Sequence, residues 1–180
     1  MTDSTSKART TSGLTHVRAD GTAHMVDISA KEVTARRAAA SGMVLLSAAA
    51  VAALRGGAVP KGDALGVARV AGIQAVKRTP DLIPLAHPVV VHAVEVDLDV
   101  VDEGVRISAV VRTADRTGIE MEALTAVSVA ALALVDMVKA VDKHARITDI
   151  RVTAKSGGRS GEVFTPWYCP PDRPPDSTIV

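Results

Sequence analysis

Only three of the 180 residues are aromatic, and all three fall near the C-terminus: Phe164, Trp167 and Tyr168. The body from Met1 to Glu162 must therefore build its core from alanine, valine, leucine and isoleucine. Hydrophobic residues make up 47% of the chain, which suffices for one ordinary globular core and leaves no room for a second domain. The same shortage removes the aromatic platforms on which RNA-recognition and single-strand-binding folds stack bases. Charge points the same way. Lysine and arginine number 21 against 20 aspartates and glutamates, a formal net of +1, whereas a general nucleic-acid binder needs a large basic surplus.

The single cysteine, Cys169, cannot form an internal disulfide and fits a reducing compartment. The N-terminal segment is polar, without the apolar stretch of a secretory signal. The most apolar run, Ala123 to Val135, is too short and too rich in alanine to span a bilayer. A cytoplasmic protein is expected, with neither nucleic acid nor a membrane among its partners.

Residues 1–15 are rich in serine and threonine and are expected to be disordered, as is the tail, 164–180, which holds five of the nine prolines. The domain between them is 16–163. Within it, Val94, Val96, Leu98 and Val100 alternate with polar neighbours, as do Val105, Ile107, Ala109 and Val111 after the polar turn Asp102-Glu103-Gly104. That pattern predicts a hairpin with acids on one strand and arginines on the other. A further strand fits Ile147 to Ala154. Helices are predicted from Ser47 to Leu54, ending at Gly56-Gly57, and from an Asp63 N-cap to about Lys77, before Thr79-Pro80. A long one, apolar nearly all round, is predicted from Met121 to about Lys143. Val33 to Leu46 reads equally as helix or strand. The order of elements implies an α+β sandwich with an antiparallel sheet.

Several segments carry residues suited to chemistry. Lys61-Gly62-Asp63 sets a lysine beside a helix start, where backbone N–H groups favour phosphate, although a solvated lysine beside an N-cap reads the same. In Asp81-Leu82-Ile83-Pro84-Leu85-Ala86-His87-Pro88, two prolines restrict the backbone around His87. Glu120 and Glu122 stand at the mouth of the long helix, where carboxylates also complement the dipole. Asp136 and Lys139, at i and i+3 in an apolar stretch, are either a structural salt bridge or functional groups. The loop from Lys155 to Gly161 offers backbone N–H groups and basic side chains to phosphate oxygens. The five histidines show no HxxxH pair and the only cysteine lies in the tail, so no zinc site is expected.

Together these segments resemble the cyclic pyranopterin monophosphate synthase family of molybdenum cofactor biosynthesis. The resemblance runs in order through HMVDIS (His24 to Ser29), KGD (Lys61 to Asp63), AGIQAVKR (Ala71 to Arg78), DLIPLAHP (Asp81 to Pro88), GIEMEALTAVSVAAL (Gly118 to Leu132), DMVKAVDK (Asp136 to Lys143) and AKSGGRSG (Ala154 to Gly161). It implies a ferredoxin-like, single-domain α+β fold and a homohexamer built from dimers. It also implies a lyase reaction, in which 3′,8-cyclo-7,8-dihydro-GTP becomes cyclic pyranopterin monophosphate with release of pyrophosphate. Carried over, the family's catalytic positions fall on Asp136, Lys139 and Lys61. Its substrate contacts fall on Leu85, Ala86, His87, Met121 and Glu122, with Glu120, Lys77 and Lys155 as further pocket candidates. Ala86 stands where the family often has cysteine. No resident cofactor is implied, and magnesium accompanying the triphosphate is left open. The competing readings are a nucleotide-binding module without turnover and another cyclase or hydrolase of purine triphosphates.

Glu122 and Asp136 are fourteen positions apart on one predicted helix, hence nearly on one face but separated by roughly 21 Å at about 1.5 Å per residue. A compact pterin cannot touch both from a single chain. The expectation is a pocket shared between chains, Glu122 of one facing Asp136 of another.

Overall fold

The undecided segment is a strand. In the computed structural model, which describes residues 16–18, 20–158 and 163–164, Thr34–Leu45 forms β1 at the centre of an antiparallel sheet. Its alanines favour helix intrinsically, but two neighbours pair with it along nearly its whole length, and that pairing overrides propensity. Those neighbours are β3 (Gly104–Asp115) and β4 (Arg146–Ser156), while β2 (Ala93–Val101) lies outside β3. A two-residue β5 (Val163–Phe164) pairs with Ala154 and Lys155 at the far edge, giving the order β2-β3-β1-β4-β5. Phe164, where the predicted tail begins, is thus paired to the sheet. The disorder expected for 1–15 and for the rest of the tail concerns residues outside those described.

The β2–β3 hairpin turns at Asp102-Glu103, and the Arg55 guanidinium holds Asp102 at 2.7 Å. On its outer face Asp99 stands opposite Arg106, and Arg112 pairs with Glu95, the expected distribution of acids and arginines.

Four helices follow their local signals. Ser47 caps α1 (Ala48–Arg55), its hydroxyl accepting from the Ala50 N–H at 3.3 Å, and Asp63 caps α2 (Ala64–Val76), accepting from Gly66 at 2.8 Å. Pro80 sits in the first turn of the short α3 (Thr79–Leu82), where its missing N–H breaks no hydrogen bond. The long helix α4 runs from Glu120 to Val138, five residues short of its expected end. Beyond Lys139 the chain turns so that Asp142 points inward. Its carboxylate accepts from the Ser47 N–H at 2.6 Å and the His144 N–H at 2.8 Å, tying the turn to the start of α1. These bonds hold the Asp142 carboxyl below its ordinary pKa.

α2 and α4 cover one face of the sheet. Ala38, Ala40 and Val44 of β1 meet Ala123, Val127, Ala130 and Leu134 of α4 in a core that has no aromatic side chain among the described residues. Small residues let the layers approach closely. A Cβ on Gly42 would lie 2.8 Å from Val127, and one on Gly72 would lie 2.9 Å from the Ala126 carbonyl oxygen. The β1–α2–β2 unit, with β3 inserted between its strands, and the following α4 and β4 make the ferredoxin-like α+β domain that the family resemblance implied. By length and composition α4 could cross a membrane, more than its alanine-rich centre implied. Ten of its residues are buried against the sheet and α2, which is how a core helix behaves.

Candidate active site

The predicted residues fall at the two ends of α4. At the C-terminal end, the Lys61 ammonium donates to Asp136 Oδ2 at 2.7 Å and to the Asp136 carbonyl oxygen at 2.8 Å. Lys139, one turn along, contacts the other carboxylate oxygen, Oδ1, at 2.7 Å. Asp136 thus stands between two ammonium groups, one brought by the loop before α2 and one by its own helix. Lys61 also takes up a last-turn carbonyl of α4, which has no intrahelical partner and sits at the negative end of the helix dipole. Lys139 and then Lys61, hydrogen-bonded to its two oxygens, hold the Asp136 carboxyl down at about 2, from an ordinary 3.8. The sequence around Asp136 is apolar. In the structure the Asp136 side chain keeps 55% of its surface, because it lies on the outward face of α4 near the helix end.

The N-terminal end of α4 opens onto a trough made of two joined cavities. The larger, of 610 Å³, is lined by Lys31, Arg36, Arg37, Arg116 and Lys155, with Glu120 among them. Lys155 reaches Glu120 at 3.1 Å. Gly157 and Gly158 close one side with positive φ; a Cβ on Gly157 would overlap the Ala35 carbonyl, and one on Gly158 would overlap the Arg36 guanidinium. The smaller cavity, of 410 Å³, is lined by Leu85, His87 and Met121 with Val26 and Ile28. The two share Lys31, Thr117, Gly118 and Glu120. His87 is fixed as its proline-flanked position predicts, with Nε2 donating to the Val26 carbonyl at 2.8 Å, which leaves Nδ1 as the acceptor in the neutral ring.

The remaining candidates line neither cavity. Ala86 donates its N–H to the Ile83 carbonyl at 3.0 Å and shapes the turn before His87. Lys77 is the exposed C-cap of α2, and because α2 runs antiparallel to α4 it lies toward the start of α4. Glu122 is buried, 2% exposed, beneath the surface that Met121 presents. Burial raises its carboxyl from 4.5 to about 6, with the Glu120 charge adding and a backbone hydrogen bond opposing. Sequence reasoning missed Lys31, Arg36, Arg37 and Arg116. They come from three segments that no linear motif joins, and only the Arg36-Arg37 pair and the arginine just before Thr117-Gly118 hinted at them. Of the 155–161 loop, read from sequence as a phosphate cradle, Lys155, Ser156, Gly157 and Gly158 line the larger cavity, and 159–161 lie outside the described residues.

A ferredoxin-like α+β domain with a cationic trough at one end of its long helix and a lysine–carboxylate–lysine cluster at the other has the parts of an enzyme that moves protons on a small anionic substrate. Comparison with known proteins makes the assignment specific. Residues 25–158 match the MoaC family, and the chain belongs to it. The cyclic pyranopterin monophosphate synthase of Streptomyces griseus is 62% identical over 157 residues, covering 87% of this chain and 89% of its own. That of Streptomyces coelicolor is 64% identical over 149 residues, covering 83% and 88%, and that of Dinoroseobacter shibae 57% over 152 residues, covering 83% and 96%.

Proposed function

We infer that the chain is a cyclic pyranopterin monophosphate synthase of molybdenum cofactor biosynthesis, converting 3′,8-cyclo-7,8-dihydro-GTP to cyclic pyranopterin monophosphate and pyrophosphate. The observation that carries this reading is the Lys61–Asp136–Lys139 cluster within a chain so similar to synthases of that name. Forming a cyclic phosphate with loss of pyrophosphate requires a hydroxyl of the substrate to attack the α-phosphorus while the bond to the leaving pyrophosphate breaks. A base takes the hydroxyl proton, and cations receive the charge that develops on the leaving group. Rearranging the purine-derived ring adds further proton transfers. Lys61 and Lys139 act as acid and base, and Asp136, bonded to both, sets their directions. The reading needs no resident cofactor; magnesium, where it takes part, arrives with the triphosphate.

The site is shared between chains of a homohexamer built from dimers, in the cytoplasm. Glu120 and Asp136 are sixteen positions apart on α4, about 24 Å at about 1.5 Å per residue, so one chain cannot close a pocket from both ends. Met121, Ser128, Leu132 and Lys139 fall on one stripe of α4, at about 100° per residue, and Met121 and Leu132 are 40% and 60% exposed. Two such stripes packed antiparallel about a two-fold axis near Ser128 and Val129 set Met121 of one chain beside Asp136 of its partner. Glu122, expected to face Asp136 directly, would then lie beneath the shared surface and support it.

The deciding experiment incubates the full chain with the cyclised dihydro-GTP and measures pyrophosphate and pterin together, with Lys139→Ala as a folded control. Equal amounts of the two products from wild type alone are expected. Binding without either product would leave a nucleotide-binding module, and pyrophosphate without pterin would leave a triphosphate hydrolase.

A further inference from the structure

After β1 the chain runs through α1 and a loop to Lys61, and this stretch is fastened twice to the C-terminal end of α4. At its far end the Lys61 ammonium donates to the Asp136 carboxylate and to the Asp136 carbonyl oxygen. At its start the Ser47 N–H donates to Asp142 Oδ2 at 2.6 Å. Asp142 stands three positions after Lys139, and its other oxygen, Oδ1, accepts from the His144 N–H at 2.8 Å. The residue is only 6% exposed, so these two donors fix the direction of a buried carboxylate.

Little between the two fastenings can give. α1 is capped by Ser47 and closes at Gly56, whose N–H reaches the Ala52 carbonyl, while the Ala58 N–H returns to Ala53. Val59 is buried in the core, and the Gly62 N–H bonds back to its carbonyl, bending the chain around Lys61. On the other side, the Lys139 N–H reaches the Val135 carbonyl, and the Val141 and Asp142 N–H groups share the Val138 carbonyl. The first turn of α1 contains no acid, so the Asp142 carboxylate supplies the negative charge that the positive end of that helix favours.

We propose that Asp142 is a positioning residue for proton transfer: its bond to Ser47 sets where Lys61 and Lys139 meet Asp136, although its own hydrogen bonds go to backbone and not to either lysine. The proposal rests on the reading that those lysines exchange protons with the substrate. One carboxylate anchors both lysine-bearing segments to a common point, and a misplacement of about 1 Å in such an arrangement costs about a hundredfold in rate. The trough at the opposite end of α4 has no part in this tie, so its loss should slow turnover and spare substrate affinity.

Asp142→Asn and Asp142→Glu test this in the full chain, beside Ile107→Val as a destabilising core substitution. Asparagine keeps the shape but turns an N–H2 toward one of the two donors; glutamate keeps the charge but carries its oxygens one methylene further out. Once denaturation has verified folding, the cyclised dihydro-GTP should give a kcat at least about tenfold lower in the Asp142 variants, with KM within about twofold of wild type. Ile107→Val should turn over like wild type. Acylation of lysines by a small anhydride, read by mass spectrometry, reports on the cluster without turnover. Relative to the exposed Lys77, labelling of Lys61 and Lys139 should rise about threefold in the Asp142 variants as their ion pairs with Asp136 loosen. Wild-type turnover in the folded Asp142 variants, or an equal loss in Ile107→Val, would overturn the proposal. If wild type forms no pterin, the synthase reading falls and labelling decides alone: a rise upholds the positioning role, and no change overturns it.

Discussion

Two carboxylates on α4 illustrate opposite uses of environment. Asp136 is exposed and flanked by two ammonium groups, Lys139 and Lys61, which hold its carboxyl down at about 2 and favour its ionised form. Glu122 is buried, and its raised pKa makes stability depend on pH. Between its unfolded value near 4.5 and its folded value of about 6, the folded chain binds more protons than the unfolded one. Stability therefore falls as pH rises through that window and is flat above it. The loss amounts to at most about 2 kcal/mol for a shift of this size. Glu122→Gln removes the ionisation. Denaturation at fixed protein concentration should find the variant more stable than wild type near pH 7, with the gap closing by about pH 4.5. A gap that persists at low pH would trace the difference to packing rather than charge. The individual roles at these positions were only partly legible in sequence. The i, i+3 spacing gave the Asp136–Lys139 pair, but nothing local placed Lys61, 75 positions away, on the same carboxylate.

Among the elements, the contact between α2 and α4 tolerates little added volume. A methyl at position 72 would press on the Ala126 backbone oxygen of α4 and not on a side chain able to swing aside. Gly72→Ala should cost about 1–3 kcal/mol in chemical denaturation despite the better helix propensity of alanine. A stabilised variant would show that the helices can part without penalty. Where hydrophobic period and capping agreed, as at Ser47, Asp63 and the β2–β3 hairpin, sequence located the elements closely. It failed to decide Thr34–Leu45, because an alanine-rich segment has no intrinsic preference for the strand that its two neighbours impose. It overran the end of α4, because the bond that turns the chain there joins Asp142 to Ser47, far away in sequence.

For the whole molecule, the separation of the two clusters along α4 leads to a complementation test. His87→Ala and Asp136→Ala proteins should each be nearly inactive alone. Unfolded together and reassembled, they should regain about a quarter of wild-type activity, since random two-fold pairing leaves about that share of pockets with both intact residues. Verified mixed oligomers with no recovery would place the pocket within one chain. The expectation of assembly rests, in sequence, on measuring the helix: residues carried over to one pocket lie too far apart on it to meet. The trough was less legible, since its cations converge only once β1, the β3–α4 connection and the end of β4 are in place.

Among the described residues the core has no aromatic side chain, and that has a consequence for how this protein can be watched. None of the side chains that unfolding would expose from it absorbs or emits in the near ultraviolet. Trp167, the chain's one tryptophan, lies outside the described residues. Nearly every core side chain does end in a methyl group, which makes methyl resonances the natural reporter of folding and of contact between chains. With no ring currents from the described core residues to spread them, those resonances should crowd into a narrow band, and Leu132→Trp, on the exposed stripe of α4, should shift methyl resonances of a second chain if two α4 helices pack there.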